Sequence, residues 1–229
     1  MTTFQEAFKT AFKTEMLNAW AQNFAEVFEA ANQPLIPIWL NKKIENEAVF
    51  GHIGSAEHIL NELRNQNRFA ARLFCKDPLK QNFAEQFQLN WIKTHGIPDI
   101  GGLSSGGKNA LYLSDGELKT GLKNKPTGSN ATKSFDFRSD AHDMWCYAKY
   151  TNEEGGAQDN QHADGLRFIE QAVNYMKKNP ESMTKWIFIA DGAYYNDVRR
   201  AHVRQVIPPD FQDRINIYTS VELCQTITA

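Results

Sequence analysis

Ile97-Pro98-Asp99-Ile100 leads into the glycine- and serine-rich stretch Gly101–Gly107, and Ala110-Leu111-Tyr112-Leu113-Ser114-Asp115-Gly116-Glu117-Leu118-Lys119 follows. Short apolar runs broken by Gly, Ser and Asp read as strand, turn, strand. Asp115-Gly116 is either a bulge or a tight turn, and the choice sets which side chains of this run share a face. The pattern differs on either side of this stretch, which places the transition from helices to mixed α/β structure here.

Toward the N-terminus, Phe4, Phe8, Phe12, Met16, Trp20, Phe24 and Phe28 recur at four-residue spacing. That spacing puts them along one side of a helix, where the ordinary role is core packing. The helix stops near Asn32-Gln33-Pro34. A second is expected from Ser55, an N-cap residue, to about Phe74. A third is expected from about Lys80 to His95, with Phe83, Phe87 and Trp91 in register. Toward the C-terminus, Thr120 to about Gly156 is polar and reads as one long loop, of the kind that is usually functional or mobile. A helix with Leu166, Ile169, Val173 and Met176 on one face follows and ends at Asn179-Pro180. Trp186–Ala190 reads as a buried strand by its continuous apolar character. A helix over Asp197–Val206, a strand at Ile215–Tyr218 and a last short helix complete the chain. Thr219 and Glu222 stand at capping-box spacing before that helix. The expected fold is α/β: a small mixed central sheet flanked by helices, with an N-terminal helical region.

The 229 residues suit one large domain with a real core. Apolar residues make up 41% and charged ones 23%, a soluble composition without any apolar run long enough for a membrane span. Cys75, Cys146 and Cys224 form no Cys-x-x-Cys pair, and the six histidines show no zinc spacing. The start Met1-Thr2-Thr3-Phe4 lacks the basic and apolar regions of a signal peptide, which gives the expectation of a cytoplasmic protein. A net charge of −2 argues against indiscriminate nucleic-acid binding, but leaves room for a local basic cleft.

Asp99 and Glu117 stand in adjacent predicted strands. One carboxylate on each of two neighbouring strands can hold a hard cation such as magnesium, which prefers carboxylate oxygens. Lys119 lies two residues beyond Glu117, on the same side of an extended strand. Its ammonium is suited to orient a water and to stabilise charge developing on phosphorus. The plainer alternative is a solvent-facing ion pair on a hairpin.

Pro98-Asp99 followed by Glu117-Leu118-Lys119 resembles the motif of the PD-(D/E)XK nuclease superfamily. Leu113–Gly121 resembles the second catalytic strand of type II restriction endonucleases. The resemblance covers the chain from about Lys80 to the C-terminus; the expectation is one nuclease domain over 1–229, with a catalytic core at 79–229 and an N-terminal helical region at 1–78 that lies outside the resemblance. The resemblance implies Mg2+ as cofactor, Asp99 and Glu117 as its ligands, and Lys119 as the active-site lysine. An acidic residue on the helix ahead of the first strand often joins them in this family, and Glu85 is the candidate. The implied activity is site-specific hydrolysis of double-stranded DNA to leave 5′-phosphates, by a homodimer on a two-fold site. A repair or junction-resolving nuclease of the same fold and a non-catalytic DNA-binding module are the alternatives.

DNA contacts are expected from the polar stretch and the helix after it. Lys123, Lys125, Lys133 and Arg138 offer charge to phosphates. Gln158, Asn160 and Gln161 follow Gly155-Gly156 at a helix start, where amides can pair with adenine edges. Asp159 and Asn160 are equally good helix caps. Gly102–Asn109 nearly matches a phosphate-binding P-loop. However, Asn109 stands where a Ser or Thr hydroxyl is required and the flanking elements are wrong, so no nucleotide cofactor is expected.

Overall fold

The computed structural model describes residues 2–50, 54–75, 80–121, 130–152 and 156–228. The chain divides into two compact units, Met1–Lys80 and Gln81–Ala229.

The first unit is helical. Helix α1 (Phe4–Ala31) opens with a capping box in which Thr3 and Glu6 satisfy each other's backbone N–H groups. Helices α2 (Ile38–Phe50), α3 (Ala56–Arg64) and α4 (Arg68–Arg72) follow. Their shared core contains Val27, Ala31, Leu40, Ile44, Ile59, Leu63, Ala71 and Phe74. The single helix expected over Ser55–Phe74 is in fact two. Gln66 takes a left-handed φ of 56°, and the Asn67 side chain accepts from the N–H groups of Phe69 and Ala70, so the chain stops and is capped anew. Helix α2 carries no clean apolar stripe, which is why the sequence pattern did not reveal it.

The second unit contains helix α5 (Lys80–His95), strands β1 (Gly101–Gly102), β2 (Leu111–Ser114), β3 (Glu117–Thr120), β4 (Phe137–Ser139) and β5 (Met144–Tyr150), helix α6 (Gly156–Lys178), strand β6 (Lys185–Asp191), helix α7 (Asp197–Gln205), strand β7 (Ile215–Tyr218) and helix α8 (Ser220–Thr228). Five strands form one mixed sheet in the order β1-β4-β5-β6-β7. The β1, β4 and β5 strands pair antiparallel, while β5, β6 and β7 run parallel. Parallel neighbours need a crossover, and α6 and α7 supply the two that are required.

Alternation along the strands divides the core into two layers. Trp145, Tyr147, Trp186, Phe188 and Ala190 pack with Phe168, Ile169 and Met176 of α6 and Val203 of α7. Met144, Cys146, Ala148, Ile187 and Ile189 pack with Ile92 of α5 and Leu223 and Cys224 of α8. A strand buried on both faces reads as a nearly continuous apolar run. That explains Met144–Ala148, which lies within the stretch expected to be one long polar loop: β4 and β5 occupy its second half, and β5 sits in the middle of the sheet.

The expected strand at Ile97–Ile100 is a turn, and only Gly101–Gly102 extends from it. Strands β2 and β3 close on themselves as a separate two-stranded sheet. Asp115 (φ 51°) and Gly116 (φ 69°) form the two-residue turn, both left-handed as a type I′ hairpin requires. A side chain at Gly116 would collide with the α6 backbone, since a β-carbon there would lie 2.7 Å from the carbonyl carbon of Asn174. The capping box expected at the last helix is present: Thr219 N–H donates to Glu222 (2.8 Å), and Glu222 N–H donates to Thr219 Oγ1 (3.1 Å). No helix among the described residues is long and apolar enough to cross a membrane.

Candidate functional site

Asp99 and the Glu117–Lys119 pair stand on separate elements, and no hydrogen bond or ion pair among the described residues joins them. Asp99 lies in the turn between α5 and β1. Its Oδ2 accepts from Ser139 Oγ (2.7 Å) and from the Ala141 N–H (3.0 Å). These bonds hold the carboxyl below the usual Asp range and tie down the turn that joins β4 to β5. Glu117 and Lys119 share one side of β3, as expected, and pair with each other there. Lys178 of α6 is 3.5 Å from Glu117, and the Glu117 and Lys119 side chains are about half exposed. The placement of these residues follows from the tight turn. Strand β3 folds back onto β2, and the partner of β1 is β4, so the two carboxylates do not lie on neighbouring strands.

The other DNA-contact candidates are scattered. Lys133 pairs with Asp164 of α6 (3.2 Å). Arg138 pairs with Asp140 (2.5 Å), and its guanidinium lies 4.3 Å over the Trp145 ring. Gln161 accepts from Thr151 Oγ1 (2.8 Å), and Asn160 is exposed. Lys123, Lys125 and the side chain of Gln158 lie outside the described residues.

Glu85, in contrast, belongs to a cluster that the sequence did not announce. Lys149 sits near the end of β5, with its Nζ 3.5 Å from Glu85 Oε1 and 3.7 Å from Asp136 Oδ2. The side chains of Lys149 and Asp136 are 12% and 8% exposed. Asp136 directly precedes β4, and its backbone continues the sheet ladder. Its N–H donates to the Cys146 carbonyl (2.9 Å), and its carbonyl accepts from the Leu103 N–H (2.8 Å). Its carboxylate accepts from the Ala148 N–H (2.7 Å). The aliphatic stem of Lys149 runs along β5, so that Nζ lies 4.6 Å from the Tyr147 ring.

Burial raises the Asp136 carboxyl to about 6, against the pull of Lys149 and the Ala148 N–H. One ammonium serves two carboxylates here, and the buried one still holds its proton unusually tightly. The cluster therefore has room for more positive charge. One helical turn after Glu85, on the same face of α5, Gln88 is fully buried, and its Oε1 has no hydrogen-bond donor among the described residues. The Glu85 and Asp136 carboxylates form an all-oxygen pair, which suits a hard divalent cation. No group of three or more His, Cys, Asp or Glu side chains that could hold a metal ion occurs among the described residues, so any such ion would draw on the Glu85–Asp136 pair and on water.

A search for an acid two residues before a lysine finds only Glu117–Lys119 and passes over Lys149, because Tyr147 stands at that position. The Tyr147 hydroxyl is buried without a hydrogen-bond partner among the described residues, and burial pushes its pKa up, so it stays neutral. Two sequence features that were passed over lie in the cluster: the isolated acid in Phe135-Asp136-Phe137, and the lysine closing the apolar run Met144–Ala148. Comparison with protein-family models, curated proteins and solved structures found no match to this chain.

Proposed function

We propose that the second unit is a magnesium-dependent endonuclease acting on double-stranded DNA, with its hydrolytic centre at Glu85, Asp136 and Lys149. The observation that carries the reading is the cluster itself. Two acids, one on helix α5 and one directly before β4, converge on one largely buried lysine near the end of a central strand. A mixed sheet flanked by helices, with an acid on the helix ahead of the first strand, fits what the PD-(D/E)XK resemblance implies, although the motif residues that carry that resemblance are not those of this cluster. The catalytic roles assigned on sequence to Asp99, Glu117 and Lys119 pass in this reading to Asp136, Glu85 and Lys149.

Glu85 and Asp136 would hold the cation through their carboxylate oxygens. A bound magnesium supplies positive charge that polarises the phosphodiester and eases deprotonation of water. Lys149 then turns its ammonium toward the scissile phosphate, where it orients the attacking water and stabilises the charge that develops on phosphorus. The apolar ring of Tyr147 beneath it limits solvent and strengthens that interaction. Cleavage leaves a 5′-phosphate. Asn160, exposed near the start of α6, is the amide best placed among the described candidates to read a base edge. A homodimer on a two-fold site remains part of the proposal.

The test is incubation of supercoiled plasmid with the protein in Mg2+, in Ca2+ and in EDTA. Discrete linear fragments in Mg2+ alone support a site-specific endonuclease. Random nicking reassigns the protein to a repair or junction task, and intact plasmid with retained DNA binding reassigns it to a binding module.

A further inference from the structure

Gln88 links the cluster to a second buried polar group. Its Nε2 donates to Asp191 Oδ2 (2.7 Å) and to the Lys149 carbonyl (3.3 Å). Asp191 ends β6 and is 3% exposed. It also accepts from the Ser220 N–H (3.0 Å) and from Ser220 Oγ (2.5 Å) at the start of α8. This network fixes the orientation of the Gln88 amide. The Lys149 carbonyl and the Asp191 carboxylate are both acceptors, so the nitrogen must face them and the oxygen must face away.

Helix α5 therefore grips Lys149 at two points. Gln88 holds its carbonyl, and Glu85, three residues earlier on the same helical face, holds its ammonium. Asp191 and Ser220 anchor the first grip to β6 and α8. A core of this kind could be built from apolar groups alone, and a buried amide that leaves its own oxygen unpaired is costly to keep. Its geometric effect is to lock one helix in register against the end of one strand.

We propose that Gln88 is the positioning residue of this centre, anchored by Asp191 and Ser220, and that it sets the placement of Glu85 against Lys149. The functional importance of that placement rests on the reading of Glu85, Asp136 and Lys149 as the cation-binding, hydrolytic cluster.

The experiment is a double-mutant cycle between Glu85 and Lys149, using Glu85→Gln and Lys149→Met and read by urea unfolding in EDTA. It is run in the parent chain, in Gln88→Met and in Ser220→Ala, with Mn2+ titration by calorimetry of the three backgrounds alongside. Gln88→Met keeps the unbranched bulk and removes the donor, while Ser220→Ala weakens the anchor and leaves Gln88 in place. The expected result is that the Glu85–Lys149 coupling is lost in Gln88→Met and reduced in Ser220→Ala, with Mn2+ affinity at least tenfold weaker in Gln88→Met. A side chain that merely filled space would lower the melting temperature and leave the coupling intact. Unchanged coupling in both backgrounds overturns the proposal. Coupling lost in Gln88→Met while the parent binds no Mn2+ supports the positioning role and overturns the cation reading instead.

Discussion

Replacing Asp136 by Asn should stabilise the metal-free protein at neutral pH. The carboxyl of Asp136 releases its proton near 6, against an ordinary value of 3.8, because burial opposes its charged form. At about 1.36 kcal/mol for each pH unit of that gap, the ionised side chain costs the fold at most about 3 kcal/mol. Between about pH 4 and pH 6 the folded protein keeps a proton that the unfolded chain has already lost, so stability falls as pH rises through that window. Asn has no proton to lose, and its amide oxygen can still accept from the Ala148 N–H. Lys149 keeps Glu85 as its partner. The assay is urea unfolding of both proteins in EDTA from pH 4 to pH 8. The advantage of the variant should open above about pH 4 and level off above about pH 6. Added Mg2+ should narrow it, since only the parent retains both carboxylates to bind the ion and be stabilised by it. A variant less stable than the parent at pH 7.5, or a difference that does not change with pH, would refute the reasoning.

Lys149→Met removes the cation that draws the Asp136 proton off, so the carboxyl should titrate above about 6, and an NMR titration finding it unchanged or lower would contradict the cluster's electrostatics. Gly165→Ala places a methyl 2.3 Å from Cε1 of the fully buried Phe188 ring, which has little room to yield; a loss of about 1–3 kcal/mol is expected in denaturant unfolding, and no loss would mean that α6 can lift from the sheet. Glu117→Ala and Lys119→Ala should leave the melting temperature within measurement error, because half-exposed ion pairs contribute little, and a clear drop would give that pair a structural role. Asn160→Ala should cost about 1–3 kcal/mol on the cognate duplex with little change on a scrambled one, while Lys123→Ala and Lys125→Ala weaken both, as binding titrations at several salt concentrations can show.

The sequence made helices and parallel strands legible where periodicity was strong. Helix α5, the apolar face of α6, the buried strand at Trp186–Ala190 and the capping box at Thr219 all follow from spacing and cap chemistry. The antiparallel half of the sheet was harder to read. Strand β1 is two glycines, β4 is three residues, and both stand beside a polar stretch that masks them. The type I′ turn at Asp115-Gly116 closes β2 and β3 on themselves, so Glu117 does not lie on the strand that pairs with β1, and local spacing does not show this. Glu85 was legible as an acid on the preceding helix. Asp136 and Lys149 were not, since the strand pairing that unites them depends on backbone bonds from Asp136 to Cys146 and Leu103, which no local spacing encodes.

The most direct test of where the chemistry lies is a plasmid-cleavage time course in Mg2+ comparing Asp136→Ala with Glu117→Ala and Asp99→Ala, each checked for folding by circular dichroism. Asp136→Ala should give no product while Glu117→Ala and Asp99→Ala cut at close to the parental rate. Full cleavage by folded Asp136→Ala, with Glu117→Ala and Asp99→Ala inactive, would contradict the assignment and return the active site to the hairpin.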